Sequence, residues 1–159
     1  MMNMKSKLTL VSPSFEPGGD IPKKFTCDSD DESPEIAWSG APGGTETFAL
    51  VVDDPDAPGR TFTHWVVFNI PGTLAGLEEG MSAFDIIKAG ASQGKNDFGQ
   101  VGYGGPCPPP GKPHHYHFHL YALDSVLDLP SGVSKGAVLA AMKGHVLDDA
   151  EIVGLYKRA

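Results

Sequence analysis

Residues 53–70 read DDPDAPGRTFTHWVVFNI, and the fold turns on them. The apolar, β-branched run 48–52 feeds into a turn carrying carboxylates at Asp54 and Asp56, prolines at Pro55 and Pro58, and Gly59. That is a strand emptying into a stiff loop. An alternating apolar run resumes at Trp65 and holds to Ile70, so the economical reading is two neighbouring strands joined at one end of a sheet. His64 opens the second strand. Asp54, Asp56 and His64 are therefore expected on one rim of the sheet, where loops carry binding groups on a rigid frame. Either aspartate taken singly is accounted for by turn chemistry, since Asp before Pro commonly opens a turn.

Working outward, residues 7–11 alternate as a short strand, 12–19 are turn-rich, and 25–27 suggest another short strand. The acidic run 28–32 lacks EF-hand spacing and reads as a solvated loop. Residues 35–39 and 45–52 are strand candidates separated by the turn GAPGG. Downstream of Ile70, residues 74–81 form a weak edge element. Residues 90–113 hold seven Gly and five Pro, so no regular element is expected through them, and such a stretch is usually functional or disordered. Strand character returns over 114–123, HHYHFHLYAL. One convincing helix follows, with Ser134 as N-cap, Val138, Leu139 and Met142 on one face, and Gly144 as its stop. Residues 151–156 close the chain as a strand in which Gly154 marks a bulge or a close backbone approach. Many strands with short turns indicate an antiparallel sandwich or barrel.

Composition agrees. A chain of 159 residues and 16.8 kDa has room for one core, so a single domain over 1–159 is expected. Its 20 Gly and 14 Pro favour turns, hence β structure. A net charge of −8 and a pI near 5.0 argue against nonspecific binding to nucleic acid or to anionic membranes. The apolar run 8–11 is shorter than the roughly 7–15 residues of a secretory h-region. With no spanning segment either, a soluble, cytoplasmic protein is expected. Cys27 and Cys107 stand 80 positions apart without CxxC spacing, so two reduced thiols are expected.

Four patterns could carry chemistry. Residues 90–94 spell GxSxG, but a nucleophile elbow needs a strand before it and a helix after it. A Gly-rich loop follows here, so Ser92 is not taken as a nucleophile. His115, His117 and His119 share one face of a strand at about 6.8 Å spacing. A His-x-His pair chelates zinc, but no carboxylate or thiolate is placed nearby in sequence, and no metal ligand is assigned. The plainer reading is a wet strand face or a subunit contact. The third pattern is the Asp54, Asp56 and His64 rim. The fourth is GYGGPCPPPGKPHHY, residues 102–116, whose backbone N–H groups in a stiff frame can form an anion nest. That loop delivers His114 and Tyr116 to a strand, although a proline-rich run alone also serves as a connector or docking segment. The Ala57–Pro58 bond is a candidate cis peptide, as in other tight functional turns.

Together, DPDAP, a histidine ten residues after its first Asp, and GYGGPCPPPGKPHHY resemble the phosphatidylethanolamine-binding protein family, more closely its bacterial Raf kinase inhibitor-like branch. The similarity also takes in LTLVSPSFEPGGDIPKKFTCD, SPEIAWSGAPGGTETFALVVDDPDAP, NDFGQVGYGGPCPP and GHVLDDAEIVGLYKR, nearly the whole chain. The resemblance implies a mainly β fold, a large antiparallel sheet packed on a smaller one with few helices. It also implies a small anion cavity at one end of the main sheet. Asp54, Asp56 and Pro58 match the DPDAP loop and His64 the strand histidine. Gly105, Pro109, His114 and Tyr116 match the cavity residues of the second motif, and Phe62 stands where eukaryotic members carry tryptophan. The resemblance also carries the expectation that this chain lacks the C-terminal helix with which those members cover the pocket.

The resulting expectation is a non-catalytic binding or regulatory protein, without cofactor, for a small phosphorylated or carboxylate ligand. N–H groups around Gly105, the His114 ring and the Tyr116 hydroxyl would meet the anion. Asp54 would orient His64, with the imidazolium favoured by that carboxylate, and Asp56 would meet an ammonium or a tyrosine hydroxyl. A kinase-like protein partner and a homodimer are further expectations from the family. The alternative is a hydrolase using His64 or His114 with Asp54 as acid and base.

Overall fold

The computed structural model describes residues 7–159, and the start of the stretch read above for a leader lies outside them. Two antiparallel sheets face each other. The smaller has three strands, β1 (Thr9–Val11), β2 (Ile36–Ser39) and β5 (Gly76–Leu77), in the order β1-β2-β5. The larger has β3 (Thr47–Asp54), β4 (Phe62–Pro71), β6 (Ser92–Gln93), β7 (His114–Leu123) and β8 (Val146–Tyr156), in the order β6-β4-β3-β7-β8. Two short helices complete it, α1 (Ala83–Lys88) and α2 (Lys135–Met142).

The main core lies between the sheets. Leu10, Ile36 and Trp38 of the small sheet meet Phe48, Leu50, Val52, Trp65, Phe118 and Leu120 of the large one, with the Trp38 and Phe48 rings 5.1 Å apart. A second core sits on the outer face, where Val138 and Met142 of α2 and Leu127 cover Ala49, Val66 and Phe68. The centre of the large sheet is thus covered on both sides. This is why β3 is buried almost continuously, whereas β7 alternates between buried and partly exposed residues. Leu139 belongs to the exposed side of α2, not to its packed face.

Sequence reading and structure part at several points. Residues 23–25 form a 3-10 turn, and the strand expected at 25–27 does not form. The last strand begins at Val146, five residues earlier than expected, and Gly154 within it is a close approach: a Cβ there would lie 2.6 Å from Ile21 Cγ1. Ser92 lies in edge strand β6, paired with Phe68, and not on a strand-to-helix turn. Among the described residues no peptide bond is cis, so Ala57–Pro58 is trans. The thiols expected to be reduced form a disulfide, Cys27–Cys107, with Cα atoms 5.4 Å apart. Spacing in sequence could not show this, because it depends on two loops being folded together. The Cys27 N–H donates to Pro106 O at 3.1 Å and sets the loops side by side.

Candidate functional site

At the Asp54 end of the large sheet, β3, β4 and β7 and two loops enclose a cavity of about 170 Å³. Asp54, Ala57, Pro58, Phe62, His64, Phe98, Cys107, Pro108, Pro109, His114 and Tyr116 line it. The walls are prolines and phenylalanines, and the polar floor consists of two imidazoles, a phenol and a carboxylate.

His64 reaches this floor through an irregularity. Val52 pairs with Trp65 but Asp53 pairs with Thr63, which leaves His64 as the extra residue of a bulge. A bulge re-aims a side chain. The His64 ring accordingly stands edge-on to Tyr116 at 5.2 Å and packs on Phe62 at 4.9 Å, while neighbouring Trp65 enters the main core. His64 Nδ1 donates to Gly104 O at 2.7 Å, since a carbonyl can only accept. Burial pushes the His64 pKa down, which favours the neutral ring and leaves Nε2 as an acceptor.

Asp54 therefore does not orient His64, and the expected imidazolium there is overturned by desolvation. Its partner is His114, whose Nδ1 donates to Asp54 Oδ2 at 2.6 Å, while Asp54 Oδ1 accepts the Asp56 N–H at 2.8 Å. The second contact is an Asx turn that starts the DPDAP loop. Asp54 is only 3% exposed, so both oxygens need such partners. The His114 ring is thereby fixed by Nδ1, with Nε2 as its remaining polar atom. Tyr116, one turn of the pleat further along, is 1% exposed, and its hydroxyl has no hydrogen-bond partner among the described residues. Burial, with Asp54 and Asp56 nearby, pushes its pKa well up, so it is an O–H donor across the physiological range.

Two expected site residues lie off the cavity. Asp56 Oδ2 accepts from His115 twice, from Nδ1 at 2.6 Å and from N–H at 2.8 Å, which holds the carboxylate on the exposed side of the loop and out of the cavity lining. The Gly105 N–H donates to Asp31 Oδ1 at 2.8 Å, so it faces the acidic loop and not the cavity. A Cβ at Gly105 would lie 2.2 Å from Phe25 O, so glycine here permits close packing of two loops. The acidic run is correspondingly more than a solvated loop: besides Asp31, Asp28 accepts from the Tyr156 hydroxyl at 2.5 Å and pairs with Arg158 at 2.9 Å.

Phe98 is the main wall residue that sequence reasoning missed. It packs edge-on against Phe62 at 4.8 Å and against His64 at 5.5 Å. Its loop is shaped by buried Asn96, whose Oδ1 accepts from the N–H groups of Phe98 and Gln100 and whose Nδ2 donates to Gly102 O at 2.9 Å. An Asn two residues before an aromatic in a Gly-rich loop is the signal that could have found it.

The family model for phosphatidylethanolamine-binding proteins matches residues 11–157. The UPF0098 protein of Methanothermobacter thermautotrophicus is 50% identical over 151 residues, covering 95% of this chain and 99% of that protein. A UPF0098 protein of Aquifex aeolicus is 49% identical, covering 95% of this chain and 89% of its own length. Among solved structures, YbcL of E. coli, described as a new member of the mammalian family, superposes with a TM-score of 0.90 at 35% identity and covers 97% of this chain and all of its own. A putative homologue from Chlamydia trachomatis gives 0.88 at 37% identity, covering 98% and 100%. With nearly its whole length matched by the family model and by relatives of the same size, the chain belongs to the phosphatidylethanolamine-binding protein family.

Proposed function

We propose that the cavity binds a small anionic group, a phosphate or the phosphorylated end of a larger molecule, and that it does so without transforming it. The observation that carries this reading is the Tyr116 hydroxyl, buried in the cavity lining with no hydrogen-bond partner among the described residues. Buried polar groups are nearly always paired, so an orphaned donor invites an acceptor from outside. His114 Nε2 supplies a second contact, as a charge-assisted donor when the ring is imidazolium. The neutral His64 Nε2 accepts from a protonated oxygen or an ammonium of the same ligand. A space of about 170 Å³ suits a headgroup better than a drug-sized molecule, whose pockets start at about 300 Å³.

The same chemistry is presented by a free headgroup and by a phosphorylated side chain of a protein partner such as a kinase. Calorimetric titration with inorganic phosphate, phosphoethanolamine and O-phosphotyrosine separates these sources. Saturable binding lost in His114→Ala is expected, and equal heats in both proteins would overturn the reading.

One observation favours a hydrolase instead: the Asp54–His114 pair, a carboxylate orienting an imidazole at 2.6 Å. Against it, Cys107 is tied in the disulfide and Tyr116 is held protonated, so neither supplies an activated side-chain nucleophile and water would have to take that role. Turnover of ester or phosphoester substrates that disappears in His114→Ala would establish that second reading.

Assembly as a homodimer and residence in the cytoplasm extend the proposal. The disulfide weighs against a reducing cytosol, where such links are uncommon outside hyperthermophiles, so the compartment is a separate test; among the described residues no helix is long and apolar enough to cross a membrane. Sedimentation velocity reads the assembly, and a monomer mass contradicts the dimer.

A further inference from the structure

The sheet face opposite the cavity carries a second constellation. Odd-numbered residues of β7 point there, and α2 does not cover all of them, so His117 and His119 stay partly exposed. Their rings stack at 6.0 Å with planes 14° apart. The antiparallel register sets Glu151 of β8 opposite His119. Glu151 Oε2 accepts from His117 Nδ1 at 2.8 Å and pairs with His119 Nε2 at 2.9 Å, and the three potential ligand atoms lie within 4.8 Å of one another. No carboxylate stood near these histidines in sequence, because the one that completes the set lies on the next strand.

Carboxylate–imidazole pairs recur on this surface, His115 with Asp56 and His145 with Asp124, each joining one ring to one carboxylate. At Glu151 a single oxygen meets two rings, and among the described residues no other group of three such side chains converges in this way. We propose that His117, His119 and Glu151 form a site for one divalent transition ion of the zinc, copper or nickel type. Imidazole nitrogen with carboxylate oxygen is the donor set such ions prefer over magnesium or calcium.

The metric requirement is met by side-chain rotation. Tetrahedral zinc at about 2.0–2.1 Å from its ligands sets them roughly 3.3 Å apart, so Glu151 Oε2 has to recede by about half an ångström, and the ring nitrogens, which lie within 4.8 Å of each other, have to close by up to about 1.5 Å. Both histidines sit on a strand paired on each side, with β3 and with β8, so their backbone is already fixed. Asp53 pairs with His117 in register on the β3 side and is itself bound to Lys135 Nζ at 3.3 Å. Three protein ligands leave the fourth position to water, as in open zinc sites. The pocket residues project from the opposite face, so the two sites load independently.

The test is calorimetric titration of zinc chloride into the full chain in a non-coordinating buffer. One ion per chain is expected, with affinity falling by about 100-fold or more in His119→Ala and in Glu151→Gln, since even second-shell changes cost 10–100-fold. His145→Ala is expected to leave the affinity unchanged. As a check that needs no variant, zinc should shift the ring NMR signals of His117 and His119 in the wild type and leave those of His145 in place. Zinc binding of equal strength in Glu151→Gln, or ring shifts spread evenly over the surface histidines, would overturn the site, as would the absence of saturable binding.

Discussion

Tyr116→Phe removes one oxygen atom and separates two roles that most substitutions confound. The hydroxyl is buried and unpaired, and an unsatisfied buried polar group costs about 1–3 kcal/mol. Its removal, which leaves the ring packed as before beside His64, should therefore leave the free protein as stable or stabilise it by about 1 kcal/mol. For a chain of this size that is a rise in Tm of roughly 2–4 °C. Binding should move the other way. A hydrogen bond to a charged acceptor contributes about 1.5–3 kcal/mol, so phosphate affinity should fall by about 10- to 150-fold. Scanning calorimetry and titration calorimetry on the same two proteins give both numbers. A variant with lower Tm and unchanged phosphate affinity would refute the reasoning, because it would make the hydroxyl a structural group.

Further expectations concern the frame of the cavity. A Cβ at Gly104 meets side chains, the Phe98 ring at 2.3 Å and Asn96 Nδ2 at 3.4 Å, whereas one at Gly105 meets backbone at Phe25 O. Gly105→Ala should thus destabilise by about 1–3 kcal/mol or more, and Gly104→Ala by less as Phe98 swings out; the reverse order in urea titration contradicts the loop packing described above. Cys27→Ser with Cys107→Ser opens a loop closed across 80 positions, for which chain entropy gives a loss of about 4.5 kcal/mol. Since Cys107 and the two prolines after it form a wall, phosphate affinity should drop as well, and unchanged affinity would show that the wall holds without the link. The pH dependence follows from His64, whose folded pKa lies below its ordinary 6.5. Above that value both states are neutral and stability is complete; as pH falls below it the unfolded chain takes up a proton that the fold resists, so stability is lost down towards the folded pKa. His64→Asn should flatten the urea midpoint between about pH 7 and pH 5.5, and an unaltered slope would place the effect elsewhere.

The fold was legible where local chemistry and period agree. Alternation on β7, the Ser134 cap of α2 and the turn residues around Asp54 each follow from the residues themselves. Seven of the expected site residues, Asp54, Pro58, Phe62, His64, Pro109, His114 and Tyr116, line one cavity. What remained hidden depends on pairing across the chain. His64 enters the cavity only because of a bulge, and strict alternation does not foresee an extra residue. Which histidine Asp54 holds depends on the β3–β7 register, which places His114 within reach. Asp56 and Gly105 sit in the right motifs, but one oxygen of Asp56 is held by His115 and the Gly105 N–H by Asp31, neither of them a neighbour in sequence. The disulfide and the convergence of Glu151 on two histidines arise in the same way, from loops and strands that meet only in the folded chain.

The central claim is that one end of the large sheet holds a small anion between His114, Tyr116 and His64. Amide and ring NMR of the wild-type protein during titration with inorganic phosphate tests it most directly. Saturable shifts confined to the DPDAP loop, Phe98, the Cys107–Pro109 wall, His64, His114 and Tyr116 are expected. Linear, unsaturating shifts, or saturable shifts centred on another part of the surface, would contradict the account.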